Sequence, residues 1–98
     1  MINPESIDLT ALPSVALCDR TTLPPVPAIY FALDSLGNMQ YVGRSVNLQQ
    51  RWTRHHRQCY LENMDGVRIA WLTVNAPELL PEIEAALIEW FNPPLNGY

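Results

Sequence analysis

Six polar residues are set apart by their types and their order along the chain: Tyr30, Tyr41, Arg51, His55, Glu84 and Asn96. Each suits work at a phosphodiester. A phenol or an imidazole can move a proton, a guanidinium can grip two phosphate oxygens, and a carboxylate can hold a divalent cation. A carboxamide can donate and accept hydrogen bonds. The first tyrosine lies in Ala28-Ile29-Tyr30 and the second in Tyr41-Val42-Gly43, and Arg51 and His55 follow on one short stretch.

The elements that must position them read as β-β-α-β-α. Ala28 to Leu33 reads as a strand, Asp34-Ser35-Leu36-Gly37-Asn38 as a hairpin loop, and Met39 to Gly43 as the returning antiparallel strand. A helix is expected from about Asn47 to Gln58, with Asn47 as its N-cap, then a loop from Cys59 to Gly66. Val67 to Val74 is rich in β-branched and aromatic residues and makes the third strand. Asn75-Ala76-Pro77 opens a last helix that Asn92-Pro93-Pro94 stops after Phe91. Residues 1–26 alternate short apolar pieces with Pro4, Pro13, Pro24 and Pro25, which predicts an extended segment laid over the domain, with a helical turn near Asp19 to Leu23. The fold class is a small α/β domain, with a three-stranded antiparallel sheet flanked by helices.

Periodicity then orients the polar groups. Side chains alternate along a strand, so Ile29, Phe31 and Leu33 share one face while Tyr30 stands on the other between Ala28 and Ala32. Tyr41 is expected beside Met39 and Gly43, with hairpin pairing bringing both phenols to one face. Two ordinary amphipathic core tyrosines would satisfy the same pattern. Leu48, Arg51, Trp52 and His55 fall at i, i+3, i+4 and i+7, a single inward stripe. A snorkelling arginine and a core histidine with a satisfied hydrogen bond are the plainer account of that stripe. Glu84 falls inside the apolar stripe of Leu80, Ile83, Leu87, Ile88 and Phe91, whereas Glu78, Glu82 and Glu89 lie elsewhere on the helix. A carboxylate so placed asks for a metal, a cation or a proton, and an ion pair with Arg51 is the structural alternative to a metal.

Composition sets bounds. Ninety-eight residues at 48% apolar content allow one core. The N-terminus has no basic region followed by an apolar stretch of signal length, and no run of about 18 apolar residues occurs, so the chain is expected to be cytoplasmic and not membrane-bound. Cys18 and Cys59 are too few for a disulfide framework and are read as free thiols of the small, buried kind. Net charge is −4, against the basic field of most nucleic-acid binders. All six basic residues are arginine, however, and four of them (Arg44, Arg51, Arg54 and Arg57) fall between positions 44 and 57. Four arginines near a helix could equally form a solvated face.

The ordered set resembles the GIY-YIG nuclease family. The family pattern runs from a GIY strand through a YIG strand to Arg-x-x-x-His, a late helical Glu and a terminal Pro-x-Asn. Here it reads Ala28-Ile29-Tyr30, Tyr41-Val42-Gly43-Arg44, Arg51 with His55, Glu84, and Pro94-Leu95-Asn96. The resemblance spans residues 27–98, with 1–26 as an added N-terminal segment, and points to a small stand-alone member. It implies divalent-metal-dependent hydrolysis of DNA, with one Mg²⁺ or Mn²⁺ held through Glu84. Tyr30 would be the general base, Tyr41 would orient or relay its proton, Arg51 would stabilise the phosphate, and His55 would assist near Tyr30. Arg44, Arg54 and Asn96 would serve substrate binding.

Ala28 departs from the family's first glycine, a mild change unless the backbone there needs a positive φ. The sequence also ends at Tyr98, where many relatives carry a DNA-binding domain, so specificity is expected from the domain itself, a homodimer or a partner protein. Two other readings compete. One is a catalytically silent nucleic-acid-binding or regulatory module on the same fold, favoured by the acidic charge. The other is a zinc site from His55 and Cys59, for which a second pair of ligands is missing.

Overall fold

The computed structural model describes residues 7–53 and 66–97. Within them the chain forms β1 (Ser14–Ala16), β2 (Ala28–Leu33), β3 (Met39–Ser45), α1 (Leu48–Thr53), β4 (Arg68–Thr73) and α2 (Leu80–Phe91). The sheet is antiparallel and has four strands in the order β1-β4-β2-β3, not the three expected. The added strand comes from the proline-rich N-terminal segment, where no regular strand was expected. β1 pairs Ser14 to Ala16 with Ala70 to Arg68 at the sheet's margin. Pro13 precedes this strand and contributes only its carbonyl, which accepts from Trp71 N at 3.2 Å. A proline at the start of an outer strand therefore loses no ladder bond.

Both faces of β2 are buried, and the two sides hold different cores. Ala28, Tyr30 and Ala32 pack with Tyr41, Leu48, Trp52 and Ile69 on the α1 side. Ile29 and Phe31 pack with Val42, Ala70, Leu80, Ile83 and Leu87 on the α2 side. The alternation read along β2 holds, because each parity has a helix to bury against. Between Ala32 and Leu33 the register shifts, so that Tyr41 faces Ala32 and Met39 faces Leu33, with Gln40 as the extra residue. Met39 consequently packs with Leu33 on the α2 side and not beside Tyr41 as strict alternation expects.

The turns follow their sequences. Asp34 Oδ1 accepts from the backbone amides of Leu36 and Asn38 at 2.9 and 2.8 Å, and Gly37 adopts φ +85°, closing the hairpin. Asn47 caps α1, its Oδ1 accepting from Gln50 N at 3.1 Å. The amides of Leu48 and Gln49 are taken by the carbonyls of Val26 and Pro24, so the proline-rich segment satisfies the donors that open this helix. Pro77–Leu79 forms a 3-10 turn that leads into α2, which ends at Asn92 in the left-handed conformation, φ +46°. Leu17–Thr22 is a 3-10 segment where a helical turn was expected. Cys18 is a free thiol but is exposed, contrary to the buried role read for it, because it lies on the outer side of that segment while Leu17 and Leu23 turn inward. Cys59 lies outside the described residues. No helix among the described residues is long and apolar enough to cross a membrane.

Candidate active site

β3 is the outer strand at its end of the sheet, and the site is built over that edge. Tyr30 comes from β2, Tyr41, Arg44 and Ser45 from β3, Arg51 from α1 and Glu84 from α2; together they line a cavity of about 300 Å³. By alternation Tyr41 and Ser45 belong to the α1 side of the sheet and Arg44 to the α2 side, in keeping with the separate cores that Tyr41 and Val42 join. Glu84 also starts on the α2 side, because Leu80, Ile83 and Leu87 seat its helix there. The cavity thus straddles the sheet's edge, and residues from opposite faces meet there because no further strand among the described residues covers β3.

Tyr30 forms the buried floor. Its register partner across the hairpin is Gly43. A Cβ built at Gly43 would fall on the Tyr30 ring, within 2.6 Å of Cε1 and closer still to Cζ and the hydroxyl. The glycine therefore supplies the space in which the phenol lies. Tyr41 stacks on the same ring, with centroids 6.2 Å apart and planes 27° from parallel. Trp52 meets it edge-on at 5.3 Å. These contacts fix the ring and aim its hydroxyl at Arg51, whose Nε donates to it at 3.4 Å. Burial, the largest influence, pushes the Tyr30 phenol above its ordinary value, while the Arg51 hydrogen bond works in the opposite direction. The same bond raises the affinity of Arg51 for its proton.

Glu84 Oε1 accepts from Arg44 Nε at 3.2 Å, with the two side chains 24% and 47% exposed. The alternative of an ion pair to Arg51 is not what forms; Arg51 is committed to Tyr30, and Arg44 reaches Glu84 from the nearer strand. Glu84 Oε2 has no hydrogen-bond partner among the described residues and belongs to a carboxylate that faces the cavity. No group of three or more His, Cys, Asp or Glu side chains clusters among the described residues. One carboxylate with an oxygen to spare, beside room for water, fits a hard divalent ion that keeps most of its hydration, the behaviour of Mg²⁺. It does not fit zinc, which takes four close protein or water ligands rich in N and S.

Asn96, in the 3-10 turn Pro94–Gly97, spends both ends of its carboxamide on one residue. Its Oδ1 accepts from Val42 N at 2.8 Å and its Nδ2 donates to Val42 O at 2.9 Å. A side chain thus stands where another strand would pair, and it closes the edge next to Tyr41 and Gly43.

Of the residues singled out from the sequence, Tyr30, Tyr41, Arg44, Arg51 and Glu84 share the cavity. Asn96 stands behind it, acting on the backbone of β3. Arg54 and His55 lie outside the described residues. Two contributors were not singled out. Ser45 lines the cavity, and Gly43 makes room for Tyr30; the signal for Gly43 was a glycine across the hairpin from a large aromatic residue.

A family profile described as the GIY-YIG catalytic domain matches residues 26–98. Among solved structures, the chain is similar to the GIY-YIG N-terminal endonuclease domain of UvrC from Thermotoga maritima, bound to its catalytic divalent cation, magnesium. The TM-score is 0.65 at 20% identity, covering 80% of this chain and 92% of that one. An asparagine-to-alanine variant of the same domain with its catalytic cation gives a TM-score of 0.65 at 20% identity, covering 80% and 91%. A tyrosine-to-phenylalanine variant gives 0.64 at 19%, covering 79% and 89%. The fold is therefore shared, and the matched residues take in every residue of the cavity: the chain belongs to the GIY-YIG family of catalytic domains.

Proposed function

We propose that the protein is a divalent-metal-dependent endonuclease that hydrolyses DNA phosphodiester bonds in the cavity over β3. The observation that carries this reading is the meeting of two phenols, two guanidinium groups and one carboxylate in about 300 Å³. Hydrolysis of a phosphodiester needs a proton acceptor for water, positive charge for the phosphate oxygens, and charge compensation at the leaving oxygen. The phenols suit the first need, the guanidinium groups the second, and a cation held by the carboxylate would meet the third.

Glu84 is the residue that would hold a Mg²⁺ or Mn²⁺ ion, one per site, through the carboxylate that Arg44 now engages at one oxygen. Such an ion offsets charge on the phosphate and the leaving oxygen. Tyr30 takes the proton of the attacking water. Burial opposes loss of its own proton, and Arg51, hydrogen-bonded to its hydroxyl, favours it. Tyr41, stacked on that ring, positions it and relays or orients the proton. Arg51 also contacts a phosphate oxygen, and removal of a donor of this kind typically costs on the order of 10² to 10³ in rate. Arg44 and Arg54 bind the phosphate backbone, His55 assists the proton transfer, and Asn96 orders the edge that presents Tyr41. DNA is the substrate, with specificity supplied by the domain itself, a second copy of the chain or a partner protein.

The magnesium-bound UvrC domain, an endonuclease domain by description, supports the choice of ion and of reaction. The net charge of −4 favours a second reading, a catalytically silent nucleic-acid-binding or regulatory module on the same fold. The two separate on end-labelled duplex DNA incubated with Mg²⁺. The enzyme releases shorter strands, and releases none in EDTA; a silent module retards the duplex and leaves it whole.

A further inference from the structure

A second cavity, of about 250 Å³, opens beside the first and is lined by Ser45, Val46, Asn47, Gln50 and Arg51. Ser45 and Arg51 line both. We propose that this second cavity is a subsite for the nucleotide that flanks the cut phosphate, with Val46 against its base or sugar and Gln50 at its base edge. The proposal rests on the nuclease reading and extends it to the recognition of a neighbouring nucleotide.

A DNA strand cannot stop at the phosphate being cut; it must enter and leave the site. The second hollow shares Ser45 and Arg51 with the catalytic cavity and so adjoins it, where a strand leaving the cut phosphate on that side would place its next nucleotide. Its lining is mixed. Val46 is 68% exposed, an apolar side chain among Ser45, Asn47 and Gln50. Apolar contact suits a sugar or a thymine methyl, and a carboxamide suits a base edge, adenine best. Arg51, between the two cavities, places positive charge beside the strand on both sides.

The turn that presents Val46 is pinned at each end. Ser45 Oγ donates to Asn47 O at 2.8 Å and accepts from Asn47 N at 3.0 Å. Asn47 Oδ1 in turn accepts from Gln50 N at 3.1 Å. An exposed valine held on a fixed backbone meets a ligand without the cost of ordering a loop. That lowers the demand on electrostatics, which in a chain of net charge −4 are weak beyond the immediate site.

The test uses short DNA duplexes randomised on both sides of one cut position, incubated with wild type, Val46→Asp or Gln50→Ala and Mg²⁺, with the product ends sequenced. Mn²⁺ affinity without DNA and thermal stability are measured in parallel; both positions are exposed, so the variants should fold. The expected result is a loss of cut product of about fivefold or more for Val46→Asp, the lower end of a base-contact effect. Gln50→Ala should change the base distribution at one flanking position only, and Mn²⁺ affinity should match wild type in both. Cutting by Val46→Asp at the wild-type level, or a loss that tracks Mn²⁺ affinity or stability, overturns the subsite while leaving the nuclease reading intact. An unchanged distribution for Gln50→Ala overturns the base-edge contact. No cutting by folded wild type overturns the nuclease reading and the subsite with it.

Discussion

Arg44 Nε and Glu84 Oε1 lie 3.2 Å apart over the open edge of the sheet, so the carboxylate suited to a metal already has a cation. Metal and guanidinium compete for one group. An ion pair this exposed is worth about 0.2–1 kcal/mol, which limits the competition to about fivefold or less in metal affinity. Arg44→Gln should therefore bind Mn²⁺ up to about fivefold more tightly in the absence of DNA, measured by electron paramagnetic resonance titration. The same variant should bind duplex DNA more weakly. Weaker Mn²⁺ binding by Arg44→Gln would show that Arg44 positions Glu84 for the ion and does not compete with it.

Gly43 and Tyr30 occupy one space from opposite strands. Gly43→Ala places a methyl group in the Tyr30 ring, and neither the strand backbone nor a ring held by Tyr41 and Trp52 has room to yield. Overpacking of this kind costs about 1–3 kcal/mol. Urea denaturation of Gly43→Ala should show a lower midpoint and an unfolding free energy reduced by that amount, together with loss of cutting. An unchanged midpoint would mean that the ring moves freely, and the fixed aim of its hydroxyl would be wrong.

Much of this was legible in the sequence, for reasons that can be named. Tyr30 between Ala28 and Ala32 is a period signal that held because each parity of β2 is buried by a helix. Leu80, Ile83 and Leu87 are buried as their period predicts, whereas Glu84 among them is partly exposed and paired with Arg44. β1 was hidden because Pro13, Pro24 and Pro25 dominate the segment, and three residues at a margin carry too little pattern to outweigh them. Met39 was misplaced because a bulge changes parity without changing composition. That Glu84 meets Arg44 depends on which strand is outermost, and no local pattern encodes strand order.

Asn96 is expected to act through the backbone of β3. Asn96→Ala removes both bonds to Val42 and should cost about 1–3 kcal/mol, with loss of cutting that follows the loss of stability. Asn96→Asp keeps the acceptor for Val42 N but turns an oxygen toward Val42 O. It should therefore be no better than alanine in denaturation. Full stability in Asn96→Asp would contradict the assignment of the amide nitrogen as donor.

Tyr30→Phe should keep the fold, because the ring and its stacking partners remain, and lower the rate by about 10² or more, the usual contribution of a general base. Burial raises the phenol's proton affinity, so the reactive phenolate is scarce at neutral pH and grows about tenfold per pH unit below its pKa. Wild-type kcat/KM should rise with that slope from about pH 6 to 9, and Tyr30→Phe should lose the rise. A wild-type plateau near neutrality would place the base elsewhere.

The central claim is metal-dependent hydrolysis through Glu84, and nicking of supercoiled plasmid at low salt tests it most directly, with wild type and Glu84→Ala each in Mg²⁺, Mn²⁺ or EDTA. The expected result is nicked circles from wild type with either metal, none in EDTA, and none from a folded Glu84→Ala under any condition. Intact plasmid after incubation with folded wild type and metal, or equal nicking by Glu84→Ala, would contradict it.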